Sequence, residues 1–355
     1  MSKANIDKKP KGFSRRRLLA AGAGAVVGTT LAAPPTIASG KVKWRMQTHW
    51  PTGNWYYKDV FVKFCNRVTA ATAGELEIEP VPPETIVSTG EALNGLRRGV
   101  LDSAFFYPAY WIGRVPVASH LNGHIGTFEK HEEKHFFMYE MGAIDIIREA
   151  YAAEGVYQSG FVSYGGFAVY SNRPLTTRKD FNGFRVRSTG AAASVFEKMG
   201  ATPVSIPGGE LYQALQTGVV EGAHWGCIST GRGMNFHEVC KFVQQPDLVS
   251  HLSGEVMVNL KKWNSIGRDL QATFNEIVRA TSADASAHFL YHDYLGAKQY
   301  TEKEGGTITT LDADTIGALR SASLQVVDEF SARDPKYSGK VGALLHEFMR
   351  MTGKV

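Results

Sequence analysis

The feature that most constrains the fold is an internal repeat. Gly90–Phe105 aligns without gaps on Gly209–His224; Gly, Glu, Leu, Gly, Val and Ala recur at matched places, and Asp102 is answered by Glu221. Each copy reads as a short helix stopped by glycine, then a short strand. The segments before each copy match in kind. Val42–Thr48 is strand-like, Tyr56–Ala71 helix-like, and Leu76–Val81 alternates as a strand does; Phe184–Ser188, Ala191–Met199 and Ala201–Ile206 repeat that order. Strand, helix, strand, helix, strand predicts two βαβ lobes with parallel sheets. Paired lobes of this kind bind ligands in the crevice at the carboxyl ends of their strands. Arg268–Thr301 and Asp314–Glu329 read as long helices that brace the lobes or mediate dimerisation.

Charge separates the chain into two parts. The formal net charge is +5 over 355 residues, yet residues 1–38 alone hold seven cations and one anion, which leaves the remainder at −1. A nucleic-acid partner needs a basic face on the folded part, so that class is excluded. Arg15-Arg16-Arg17 precedes a Gly/Ala-rich apolar run and the small-residue stretch Ala32–Ala38. Basic, apolar and small-residue parts in that order make a secretory signal, and the arginine pair gives it a twin-arginine character. Cleavage is expected near Ala38 and export to the periplasm follows. Later segments hold no apolar run of membrane-spanning length. Cys65, Cys227 and Cys240 are too few and uneven for a disulfide framework and are expected as buried thiols.

Three motifs bear on chemistry. His131-Glu132-Glu133-Lys134-His135, with Glu154 downstream, matches a zinc-hydrolase pattern, but its charged neighbours Glu129, Lys130, Glu133 and Lys134 mark a solvated helix face. No nucleophile elbow or phosphate-cradling loop occurs in the body of the chain. Arg185 and Arg187 lie on one face of the strand before Thr189-Gly190, and an arginine there suits bidentate capture of a carboxylate; spacing alone does not choose between them. The strand ends are aromatic: Trp50, Trp55 and Tyr56 after the first strand, Phe105-Phe106-Tyr107 and His224-Trp225 after the repeats. Such residues line pockets and fill cores equally often.

These residues carry a resemblance. Leu175–Arg187, with its Asp180-Phe181-Asn182-Gly183-Phe184-Arg185-Val186-Arg187 core, resembles the signature of the extracytoplasmic solute-binding proteins of tripartite ATP-independent periplasmic (TRAP) transporters, the dicarboxylate-binding type. Met199–Val204, the run from Gly209 to Gly222, and Met257–Trp263 resemble further segments of that family, so that the match covers essentially all of the mature chain. Trp225, together with Gly209 after Ile206-Pro207-Gly208, is similar to the subgroup that binds 2-oxoacids and other monocarboxylates with a cation. The family's arginine falls on Arg187 and, by resemblance, decides between the two arginines. The chain departs from the subgroup's cation ligands. Ser163 in Val162–Gly166 replaces a Gln, His224 in Gly222–Trp225 replaces a Glu, and Leu248–Gly254 holds no counterpart of a second Glu. Hard cations take oxygen ligands, so no metal and no cofactor is expected.

The resemblance implies an α/β, two-lobed clamshell in which each lobe is a βαβ-built mixed sheet flanked by helices, with long C-terminal bracing helices. Lobe I is expected over residues 39–166 plus about 255–295, and lobe II over 167–254 plus about 296–355. Arg187 would hold the carboxylate of a small organic acid. Trp225, Tyr164, Tyr107, Trp50 and Phe167 would cover its apolar part, and His224 and Ser163 would donate hydrogen bonds. Hinges are expected near Val169 and Val256. The partners implied are the small and large TRAP membrane subunits and, by exchange of Val341–Met351, a second copy of the chain. The competing readings are a metal-dependent hydrolase at His131 and His135 and a sensory binding module.

Overall fold

A computed structural model describes residues 40–121, 124–206 and 208–355; the signal-like segment lies outside the described residues. In the first half, β1 (Val42–Thr48) leads through a π-helical turn (Tyr57–Val62) into α1 (Lys63–Ala71). Then follow β2 (Leu76–Val81), α2 (Ala92–Arg98), β3 (Ser103–Phe106), α3 (His131–His135), α4 (Ala143–Ala153) and β4 (Val156–Ser163). The second half holds β5 (Phe167–Ser171), β6 (Arg185–Arg187), α5 (Gly190–Lys198), β7 (Thr202–Val204), α6 (Leu211–Gln216), β8 (Gly222–Trp225), α7 (Ile228–Gly233), α8 (Phe236–Val239) and β9 (Phe242–Val249). The chain then continues with β10 (Ser253–Asn259), α9 (Leu260–Ser265), α10 (Arg268–Glu302), β11 (Thr307–Thr309), α11 (Ala313–Arg333) and α12 (Ser338–Met351).

The two sheets repeat one plan. The first has the order β2-β1-β3-β10-β4, and the second, read the same way, β7-β6-β8-β5-β9-β11. In each, the three strands of the sequence repeat are parallel, with the first strand in the middle. The glycines that stop the repeat helices, Gly99 and Gly218, have φ of +75° and +72°, the left-handed conformation that ends a helix at low cost only for glycine. The repeat predicted the parallel part of each sheet, and both sheets are mixed, as the resemblance implied. β10 is antiparallel to β3 and β4, and β5 is antiparallel to β8 and β9. The reason is connectivity: β5 and β10 each enter a sheet from the other one, through the short links 164–166 and 250–252, with no crossover helix to reverse the chain.

Burial explains the strands. In β1, Lys43 and Arg45 are exposed while Trp44 and Met46 are buried; β10 is buried along its whole length, as a strand flanked on both sides must be. The 35-residue α10 packs on α1 and β4 of one sheet and on α7 and β11 of the other. α11 lies against α5 and against the turn Pro116–His120. The sequence reading grouped residues 296–355 with the second lobe, but α12 packs on α4 and Pro116–His120, and Phe348 meets Phe128 at 5.1 Å and Phe137 at 6.0 Å. All three cysteines are buried free thiols. Among the described residues no helix is long and apolar enough to cross a membrane.

Candidate ligand-binding site

Strand β6 places two arginines on one face, and the structure separates them. Arg185 has a side chain 53% exposed, near the Glu221 carboxylate at 3.7 Å, whereas Arg187 is 7% exposed. Arg187 Nε donates to the carbonyl of Ile206 at 3.1 Å and Nη1 to the carbonyl of His224 at 3.1 Å. Its guanidinium lies over the Trp225 ring, 4.7 Å from the centroid. A guanidinium has five N–H donors. Among the described residues no carboxylate lies within ion-pair distance of it. Burial lowers the pKa of Arg187, and the nearby phenols of Tyr107 and Tyr110 oppose that shift. Trp225 is held from behind by Gly208, where a Cβ would fall 2.5 Å from the indole.

The facing wall comes from the first sheet and is a chain of rings. Tyr164, 3% exposed, touches Trp50 at 5.1 Å, Tyr56 at 5.1 Å, His49 at 5.7 Å and Tyr107 at 6.4 Å. Tyr107 reaches Phe167 at 6.2 Å, and Phe167 reaches His224 at 5.1 Å, which carries the contact into the second sheet. Nearby, a Cβ at Gly190, the first residue of α5, would stand 3.5 Å from Ala109. Gly254 lets Tyr164 in, since a Cβ there would come within 2.0 Å of the phenol.

Each sequence-predicted residue has a definite place. Arg187, Trp225, His224, Tyr107, Phe167, Tyr164 and Trp50 come together where β1, β3, β6 and β8 end, as the crevice rule requires. Ser163 ends β4 with its hydroxyl accepting from the Gly165 N–H at 3.3 Å, so it caps the link to β5. His224 is 3% exposed; burial, with the Arg187 charge adding to it, pulls its pKa down to about 3, and the imidazole is neutral. Its Nε2 has no hydrogen bond. His131 and His135 stand 6.3 Å apart by ring centroid and gain no acid. Glu154 instead pairs with Arg97 at 3.0 Å and Arg114 at 2.8 Å. The expected solvated face of α3 is corrected at one position: Lys134 is 1% exposed and turns inward. Two residues were missed. Tyr110 carries no signal beyond the local aromatic density, but His49 directly follows β1 and the strand-end rule points to it.

The donor set does not fit a hard cation. Ser163 and His224 offer a capped hydroxyl and an imidazole beside a guanidinium, and among the described residues no three of His, Cys, Asp or Glu are arranged to hold a metal.

Two sheets of matched topology, joined by two short links and facing each other over one unpaired cation, define a two-lobed small-molecule receptor. The chain belongs to the bacterial extracellular solute-binding proteins, family 7, which match residues 46–334. It is 23% identical to a monocarboxylate 2-oxoacid-binding periplasmic protein of a Nostoc species, over 83% of this chain and 81% of the relative. Among solved structures it is similar to a TRAP transporter solute-binding protein from Bordetella bronchiseptica, described as a dimer with calcium and picolinate in one site. The TM-score is 0.81 at 21% identity, covering 89% of this chain and 94% of that one. A TRAP solute-binding protein from Pseudoalteromonas atlantica with sodium and pyruvate gives a TM-score of 0.80 at 20% identity, covering 88% and 95%. The family is one of solute receptors, not enzymes, and works outside the cytoplasm.

Proposed function

We propose that this receptor captures a small organic acid at Arg187 and presents it to the small and large membrane subunits of a TRAP transporter. The observation that carries the reading is the buried guanidinium with donors in excess of its partners and no counter-ion. A buried charge left unpaired is costly, and an anionic ligand removes that cost. The acid's carboxylate pairs with Arg187. Trp225, Tyr107, Phe167 and Tyr164 cover its body, and His224 offers Nε2. With Ser163 and His224 where a hard cation would need oxygen ligands, the ligand binds without a metal, whereas the two similar structures hold calcium with picolinate and sodium with pyruvate.

Closure of the lobes excludes water and strengthens the ion pair, so the ligand selects the closed state. The bending points are the paired links 164–166 and 250–252, close to the hinges expected near Val169 and Val256. Export by the twin-arginine route and homodimer formation belong to the same reading, the latter because the Bordetella relative is described as a dimer. Isothermal titration calorimetry tests the core of it, after a thermal-shift screen of organic acids with and without sodium and calcium. Arg187→Ala should weaken the best acid by about 2–5 kcal/mol. Unchanged affinity in that variant would sink the carboxylate clamp.

A further inference from the structure

Polar atoms with unused bonding capacity gather on the aromatic wall, away from Arg187. The buried His49 Nδ1 makes no hydrogen bond, and the Trp50 indole and the Tyr164 phenol have only a loose contact with each other. Their rings are mutual neighbours: His49 and Trp50 at 5.2 Å, Trp50 and Tyr164 at 5.1 Å, His49 and Tyr164 at 5.7 Å. Buried side-chain polar atoms are nearly always fully bonded, so three neighbouring groups with bonding capacity left over call for an explanation. Resting on the function proposed above, we infer that His49, Trp50 and Tyr164 form a second, uncharged pole of the site. It receives a neutral hydrogen-bonding group at the far end of a flat aromatic monocarboxylate held by Arg187.

The chemistry of the three groups sets the class of ligand. An indole N–H only donates, a phenol donates or accepts, and a neutral imidazole does one at each nitrogen. Together they suit a hydroxyl, which needs both a donor and an acceptor. None of them suits a second carboxylate. His49 is neutral because burial draws its pKa down to about 3, against a smaller opposing effect of the Phe105 backbone carbonyl, which accepts from the imidazole. A dianion would therefore lose hydration at this pole and gain no cation. Tyr110 lies between the two poles. It meets His49 edge-on at 5.6 Å and interacts with the Arg187 charge. Trp50 stacks on Tyr56 at 4.6 Å beside the second pole and Trp225 lies against the Arg187 guanidinium at the first, so each pole carries aromatic surface.

The test is calorimetry near pH 7.5 with three ligands on one scaffold: phenylacetate, 4-hydroxyphenylacetate and 4-carboxyphenylacetate. One satisfied hydrogen bond at a buried unpaired group should favour the hydroxy acid over phenylacetate by roughly tenfold. The dicarboxylate should bind about a hundredfold more weakly than the hydroxy acid, as for a buried, unpaired charge. His49→Phe should bring the hydroxy-to-parent ratio close to one and leave phenylacetate within about threefold. Tyr164→Phe, which removes one hydroxyl and no volume of ring, should lower the same ratio and serves if His49→Phe does not fold. The inference is overturned if the dicarboxylate binds as well as the hydroxy acid, if the variants weaken both monocarboxylates equally, or if none of the three ligands binds. Arg187→Ala separates this from the reading beneath it. Loss of every acid in that variant with no selectivity at His49 keeps the receptor and discards only the second pole.

Discussion

Each lobe buries a cation, and the two are used differently. In the first lobe, Lys134 Nζ donates to the carbonyls of Leu121 at 2.7 Å and His251 at 2.9 Å and to Ser253 Oγ at 2.6 Å. An ammonium has three donors, and all three are engaged. In the second lobe, Arg187 engages two of its five N–H groups. Burial alone therefore does not mark a functional cation; unsatisfied donors beside a crevice do. Lys134 ties α3 to the link before β10, whereas Arg187 awaits a partner that the fold does not supply.

Exchanging each cation for a neutral chain of similar length is the severest way to break this comparison. Arg187→Met should lower affinity for the best organic acid by at least about a hundredfold while leaving the apo melting temperature unchanged or raised, because an uncompensated charge has gone. Lys134→Met should do the reverse. It strands the His251 carbonyl, at about 1–3 kcal/mol, while the Leu121 carbonyl keeps the Ser253 hydroxyl as donor. The melting temperature should fall by several degrees while Kd stays within about threefold. Calorimetry and thermal denaturation on both variants decide the matter. If Lys134→Met changes affinity and not stability, the division of roles fails.

Smaller in effect is the buried acid of the first lobe. Glu255, on β10, accepts from Trp111 Nε1 at 2.9 Å and from the Tyr151 hydroxyl at 2.8 Å, yet complete burial raises its pKa to about 8. Between the unfolded value of 4.5 and the folded value near 8, the native state holds the extra proton, so stability falls as pH rises through that window. Glu255→Gln should be close to neutral at pH 5 and stabilising by up to a few kcal/mol at pH 9, since each tenfold change in proton affinity between the folded and unfolded states is worth about 1.4 kcal/mol. Denaturant titrations at the two pH values check this. Equal effects at both would mean that Glu255 is ionised in the native state throughout, like an exposed carboxylate.

Sequence patterns reach the fold more fully than the site. The repeat exposed six strands and their parallel pairing, since amphipathic spacing and glycine stops act locally. The repeat says nothing of β5 and β10, because their antiparallel pairing depends on links that cross between sheets. Val42–Thr48 and Leu76–Val81 have the bounds that alternation predicted, while α12 went to the other lobe because its apolar face says only that it is buried, not against what. At the site, a two-residue period could not choose between Arg185 and Arg187; the resemblance chose Arg187, and its burial beside an exposed Arg185 agrees with that choice. Lys134 misled for the opposite reason: four charged neighbours implied solvent, but a helix of only five residues can turn one of them inward.

The mildest test asks whether the two lobes are equivalent where no chemistry intervenes. Gly99 and Gly218 close the matched helices α2 and α6 at φ +75° and +72°. A Cβ at Gly99 would meet only Asn259 Nδ2 at 3.8 Å, and one at Gly218 would meet nothing within 4 Å. The cost of alanine is then purely conformational. Left-handed geometry costs an L-residue roughly 1–2 kcal/mol, partly offset by about 0.4–1 kcal/mol from the stiffer unfolded chain. Gly99→Ala and Gly218→Ala should each destabilise by about 1 kcal/mol, and the two values should agree within about 0.5 kcal/mol. Chemical denaturation of both variants measures the difference. Agreement would show that the lobes share their backbone energetics and differ in the side chains at their strand ends. A large gap would place a hidden tertiary demand on one helix stop, and the repeat would then be a likeness of pattern without a likeness of energy.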